Sequence, residues 1–198
     1  MLPPGETLLL TLRLAGSVPG RAGRELHARR VSAQEAARQA SSPEEAQALH
    51  RRADKRFFAD FDALLDAATV GGAYLEKEKL AEMVAGELLM LEEQGLRVPC
   101  FVLLPNHLHA VLHLPASAGL SLYKAVELLH QRTATQARRL LRGQLPSEAD
   151  FWQTGFHHLP VLDAAELSRV RQYLLAHPRR LALPPRFHEW PYLHDAPL

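Results

Sequence analysis

One cysteine, Cys100, stands among 198 residues. No intramolecular disulfide can form, and a zinc site built on cysteines is excluded. A reducing compartment fits that usage. Long apolar runs are missing too, and the longest stretches fall far short of the roughly 20 residues that span a bilayer. The opening segment MLPPGETLLLTLRL has no basic region ahead of its apolar run, so it does not look like a secretory leader. A soluble, cytoplasmic protein with no membrane partner is expected. There is no glycine-rich phosphate-binding motif, so no ATP-driven step is expected. Repeats and low-complexity tracts are absent. A large charge of one sign is absent as well: 23 Lys and Arg against 22 Asp and Glu leave a net charge of +1.

What is present is a chain 47% hydrophobic, enough for one domain with its own core. Its charges are unevenly placed. Residues 21–58 carry nine Lys/Arg against five Asp/Glu, residues 59–99 three against nine, and residues 120–198 ten against seven. Two mildly basic regions thus flank an acidic block. They form either one basic face or ordinary solvated helix surfaces.

Residues 7–14, TLLLTLRL, predict a strand that ends at Gly16, Pro19 and Gly20. Residues 21–40 are rich in good helix formers. Ser41, Ser42 and Pro43, followed by Glu44 and Glu45, signal a second helix start, and that helix extends to about Asp66. Phe57, Phe58, Phe61, Leu64 and Leu65 give it a buried face. After Gly71 and Gly72, residues 75–94 predict an amphipathic helix closed by Gly95. Two strands follow at 97–104 and 106–114. Ser121 caps a helix over 122–141, a short strand is expected within 151–162, and Asp163 with Glu166 start a last helix to about His177. The tail, rich in proline and aromatics, is expected to pack irregularly. This order suggests an α+β fold: a ferredoxin-like antiparallel sheet with helices packed on one face. The helical stretch at about 21–56 exceeds what that plan needs and looks like an insertion in a single domain.

Two places offer chemistry. In His107-Leu108-His109 the histidines are two apart on a strand, so both imidazoles project from one face and can share a metal. With 11 histidines in the chain, a chance pair is the competing explanation. Tyr173 and His177 are four apart on the last helix and share a face. Either the phenol is a nucleophile beside a third ligand, or a packed tyrosine precedes a histidine favoured by the helix dipole. An unperturbed phenol has a pKa of about 10 and needs a metal or nearby cations to become nucleophilic. Pro178 disfavours helical backbone at His177, which places that residue at a fraying end.

Taken together, several segments resemble the IS200-like transposases, which carry a single tyrosine and a His-hydrophobic-His motif, and especially the REP-associated tyrosine transposase branch. LLPNHLHAVLHLP at 103–115 resembles the strand with the paired histidines. FWQTGF at 151–156 resembles a Trp-Gln signature, and YLLAHP at 173–178 a Tyr-Ile-x-x-Asn-Pro motif. HQRTATQARRLL at 130–141, HEWPY at 188–192 and RLAGSVP at 13–19 resemble further family segments. The resemblance covers roughly 7–20 and 57–193. It implies that His107, His109 and His177 bind a divalent metal, Mg2+ or Mn2+, and that Tyr173 is the catalytic nucleophile. His177 stands where the family usually has Asn, which shifts the preference towards Mn2+ or another borderline ion. His130 and Gln131 replace the usual Lys-Gly, and HHLPVL after FWQTGF lacks an arginine often found there.

The implied activity is single-stranded DNA cleavage and strand transfer through a 5′-phosphotyrosine, with hairpin or single-stranded DNA as partner. Arg132, Arg138, Arg139 and Arg142 on one helix, with Arg179, Arg180 and Arg186 after the tyrosine, are candidates for phosphate contacts. Trp152, Phe156 and Trp190 are candidates for base stacking, although core packing is the stronger expectation for the two tryptophans. The main alternative is a domesticated, catalytically inactive protein that binds hairpin DNA. A hydrolase using water, or a nuclease acting on RNA, are further rivals. Monomer and homodimer both fit.

Overall fold

A computed structural model describes every residue except Ser147. The chain forms two compact units. One comprises Met1–Ala15 with Gly72–Leu198, and the other is Gly16–Gly71. Among the described residues there are five strands and five α-helices.

The first unit is built on β1 (Gly5–Arg13), β2 (Arg97–Leu103), β3 (His107–Pro115), β4 (His157–Pro160) and β5 (Leu193–Asp195). All neighbours are antiparallel, in the order β4-β1-β3-β2-β5. The first four strands of that order give the expected ferredoxin-like arrangement, with β1 and β3 at the centre. The register pairs Thr11 with His109 and Thr7 with His113. Strand alternation then sorts the side chains. Leu8, Leu10 and Leu12 of β1, with Leu108, Ala110, Leu112 and Leu114 of β3, join one core on one face. Thr7, Leu9, Thr11 and Arg13, with His107, His109, Val111 and His113, take the other.

Two helices complete that core. In α3 (Glu78–Leu89) the buried positions Leu80, Ala81, Val84, Ala85 and Leu88 form one stripe. In α4 (Leu122–Leu140) Ser121 caps the start, accepting from the Lys124 amide at 3.3 Å, and Leu122, Ala125, Val126, Leu129, Thr133 and Ala137 are buried. The helix expected over 75–94 is shorter than its hydrophobic pattern suggested, because single 3₁₀ turns at Tyr74–Glu76 and Glu92–Gln94 flank it. The last helix, α5 (Ala164–Arg180), covers the opposite face, packing on β2 and bringing rings against His107 and His109. Asp163 caps it through Oδ1, 2.7 Å from the Glu166 amide, and Glu166 reaches back to the Leu162 amide at 2.9 Å.

Two sequence expectations change here. The segment 151–162 is a strand only at His157–Pro160; before it, Trp152 makes a single bridge to Leu14. The tail is ordered rather than irregular. Phe187 and Tyr192 are buried in the core, β5 extends the sheet along β2, and Asp195 of β5 pairs with Arg171 of α5.

The second unit is a helical hairpin of α1 (Gly20–Ala37) and α2 (Pro43–Asp66). Ser42 caps α2, accepting from the Glu45 amide at 3.1 Å, with Pro43 in the first turn. Val18, Leu26, Phe57, Phe61 and Leu65 form its core, and Arg30 pairs with Asp54 at 2.9 Å. Gly71 closes the unit against Gly16 at a φ of +84°. A Cβ there would lie 2.8 Å from backbone atoms of Gly16, so Gly71→Ala is expected to cost about 1–3 kcal/mol. Gly86→Ala in α3, where a Cβ meets nothing within 4 Å, is expected instead to stabilise by about 0.5–1 kcal/mol. Thermal unfolding of the two variants checks the contrast.

Candidate active site

The sequence PNHLH places two imidazoles on the face of β3 that lies under α5. His107 is 1% exposed and His109 fully buried, and their ring centroids are 4.8 Å apart. Burying a polar ring costs free energy unless it is hydrogen-bonded. Both rings have partners on their Nδ1 side. His107 Nδ1 is 2.7 Å from Asn106 Oδ1, so it donates, and His109 Nδ1 is 2.8 Å from Thr11 Oγ1 across the β1–β3 register.

Helix α5 brings two more rings. His177 is fully buried, with its centroid 5.4 Å from His109 and 6.0 Å from His107. Tyr173, one turn earlier and half-buried, lies 5.0 Å from His177 and 6.4 Å from His109. The guanidinium of Arg180 stacks on the phenol ring at 4.9 Å. His177 is not at a fraying end, contrary to the expectation from Pro178. Pro178 lies inside the helix, and the chain continues through Arg180, with the Leu181 amide donating to the His177 carbonyl at 3.1 Å. A proline here removes one i→i−4 hydrogen bond and crowds the carbonyl four residues back, a cost that the packing around buried His177 and Pro178 offsets.

His107 and His177 each offer a ring nitrogen within 4.8 Å of the other, close enough for both to reach one ion. Ligating histidines ordinarily use one ring nitrogen and are oriented through the other. A cysteine nucleophile is excluded on this face, since burial pushes the Cys100 thiol up to about 12. His113, further along β3, is held at 3.0 Å by Thr7. Burial, and then Arg97, lower its pKa.

The expected DNA-contacting residues separate. Arg139, Arg142 and Arg179 are exposed. Arg132 is ion-paired with Glu87 at 3.6 Å, and Arg138 donates to the Ala149 carbonyl at 3.0 Å. Trp152 is not a base-stacking surface: it is 4% exposed, and its indole N–H donates to Thr133 Oγ1 at 2.7 Å. Trp190, expected in the core, is 52% exposed and touches Phe101 only edge-on. Phe156 is half-buried between Tyr123 and His158, at 5.1 and 5.7 Å. Sequence reasoning missed Thr11, Asn106 and Arg13, the last of which pairs in register with His107. Only the two threonines left a signal, since they occupy alternate positions of β1 on one face.

Fold and site together define an α+β protein with a buried imidazole cluster faced by a tyrosine. No protein-family model matches the sequence, and no curated protein matches it. Among solved structures, a REP-associated tyrosine transposase bound to a REP hairpin matches with a TM-score of 0.52 at 11% identity. The match covers 98% of this chain and 78% of that one. At that identity the likeness is one of fold.

On α4, across the sheet from these rings, His130 stacks on Trp152 (5.6 Å, 9°), and its buried Nε2 makes no hydrogen bond among the described residues. Burial lowers its pKa to about 4, below the usual 6.5. The unfolded chain therefore takes up a proton near pH 6.5 that the folded chain refuses until about pH 4. The stability this neutral ring contributes is complete above pH 6.5 and is lost as pH falls towards 4. At 1.36 kcal/mol per unit, discounted for a partly exposed ring, the loss is about 2 kcal/mol. Thermal unfolding against pH is expected to show a shallower decline in His130→Phe than in the unsubstituted protein over that range; parallel curves contradict it.

Proposed function

We propose that the protein is a metal-dependent DNA nuclease and strand transferase of the single-tyrosine type. It acts on single-stranded or hairpin DNA through a covalent tyrosine intermediate. One observation carries this reading: the Tyr173 phenol and the imidazoles of His107, His109 and His177 converge on one face of the sheet, from a helix and a strand far apart in sequence. The fold shared with a transposase bound to a REP hairpin supports the substrate class, and the sequence motifs support the IS200-like assignment.

In this reading His107, His109 and His177 hold the ion, Mn2+ or a similar borderline cation. When bound, it supplies charge neutralisation at the scissile phosphate. Tyr173 attacks phosphorus in line with the 3′ oxygen. The phenol oxygen–phosphorus bond forms, the phosphorus–O3′ bond breaks, the phenol proton leaves and the 3′ oxygen takes one up. The product is a 5′-phosphotyrosine and a free 3′-OH. A second 3′-OH reverses the step on another strand, so the phosphodiester is conserved without ATP. Arg180 against the phenol ring stabilises negative charge developing on it. Arg179 on α5, Arg139 on α4 and Arg142 just after α4 are all exposed and contact backbone phosphates, with Arg132 and Arg138 also on α4. All four site rings belong to one chain, so one copy carries a complete set.

The test is trapping of protein on a labelled hairpin oligonucleotide with Mn2+. Tyr173→Phe is expected to abolish the adduct while leaving hairpin affinity within about threefold, since one hydroxyl contributes little to phosphate-dominated binding. A variant that still forms the adduct overturns the assignment of the nucleophile. His107→Ala is expected to lower metal-dependent cleavage by at least about 100-fold, the scale of losing transition-state charge stabilisation. Binding by the unsubstituted protein with no adduct under any divalent ion would favour an inactive hairpin-binding protein.

A further inference from the structure

Thr11 and His109 face each other directly in the β1–β3 register, where facing Cβ atoms lie about 4.5–5.5 Å apart. A threonine hydroxyl is then just long enough to meet an imidazole, and Oγ1 sits 2.8 Å from Nδ1. Thr11 is 3% exposed and His109 fully buried, so bulk water does not compete for this bond. The same pairing recurs further along the two strands, where Thr7 meets His113 at 3.0 Å. Only the Thr11 pair lies beneath Tyr173 and His177.

We propose that Thr11 is a positioning residue: its Oγ1 accepts from Nδ1–H of His109, fixing the tautomer that leaves Nε2 as the ring's lone-pair nitrogen. This deepens the reading of the site as a metal centre and rests on it for its purpose. A neutral imidazole carries one proton, and which nitrogen bears it decides whether the other can bind a cation. Asn106 Oδ1 imposes the same choice on His107. An amide oxygen accepts by its chemistry, whereas a hydroxyl accepts or donates. Thr11 supplies the partner at Nδ1 of His109, and its position across the strands holds the ring plane as well.

The experiment has two arms on the full-length chain. Nitrogen-15 NMR of the histidine side chains in metal-free protein at pH 8 reports the tautomer of each ring. Unsubstituted protein is expected to show His109 with its proton on Nδ1. Thr11→Val, nearly isosteric, is expected to shift the population towards Nε2–H, Thr11→Ser to restore it, and His113 to stay unchanged in both. In the second arm, titration with Mn2+ is expected to give 10–100-fold weaker binding for Thr11→Val and near-normal binding for Thr11→Ser. Finding His109 as Nε2–H in the unsubstituted protein overturns the proposal without any variant. An unchanged tautomer and Mn2+ affinity in Thr11→Val, with only the melting temperature lowered, also overturns it by showing a merely structural role. Unsubstituted protein with the Nδ1–H tautomer that binds no Mn2+ overturns the metal reading of the site instead, and leaves the tautomer lock standing.

Discussion

The antiparallel register of β1 on β3 is the constraint on which the site depends. It sets Thr11 opposite His109 and Thr7 opposite His113. It also puts Leu8, Leu10 and Leu12 on the same face as Leu108, Ala110 and Leu112. A slip of one residue would turn the histidines into that apolar core and the leucines out of it. Each buried leucine contributes about 1.5–3 kcal/mol, so the apolar face holds the register that the polar face needs. The α3 and α4 helices reinforce it from one side, while α5 closes the other.

A buried row of imidazoles is costly unless each ring is satisfied or has a function. Partners in the protein meet much of that need: Asn106 for His107, Thr11 for His109 and Thr7 for His113. Such outer partners orient a ring, as they do in histidines that ligate metals. The helix that lays Tyr173 and His177 over this row is fixed at its start by Asp163 and Glu166, and near its middle Arg171 ties it to β5. Tyr173 and His177 on α5, and His107 and His109 on β3, thus sit on separately anchored elements. The proposed tyrosine intermediate would use that arrangement, because the phenol must be held in line with the bond it attacks.

Much of this was legible from local pattern. Alternation in TLLLTLRL and NHLHAVLHL marks β1 and β3, and the cap residues Ser42, Ser121 and Asp163 mark three helix starts. Spacings of two and four placed His107 with His109, and Tyr173 with His177, on common faces. What local pattern could not carry was pairing between distant segments. The cross-strand bond from Thr11 and the addition of β5 by the tail depend on register, which no short window contains. Pro178 misled because its penalty on the preceding residue is a tendency that tertiary packing of a buried His177 outweighs. Trp152 takes the core position expected of both tryptophans, its indole N–H finding Thr133 there, whereas Trp190 departs from that expectation and stands outside the core.

The rings converging from β3 and α5 are proposed to form one metal centre beside a tyrosine nucleophile. Anomalous diffraction at the manganese edge, from crystals grown with Mn2+, addresses it most directly. The expected result is a single strong peak at bonding distance from ring nitrogens of His107, His109 and His177, with the Tyr173 hydroxyl open to the same space. A well-ordered site with no anomalous density there, or density only at surface carboxylates, would contradict it.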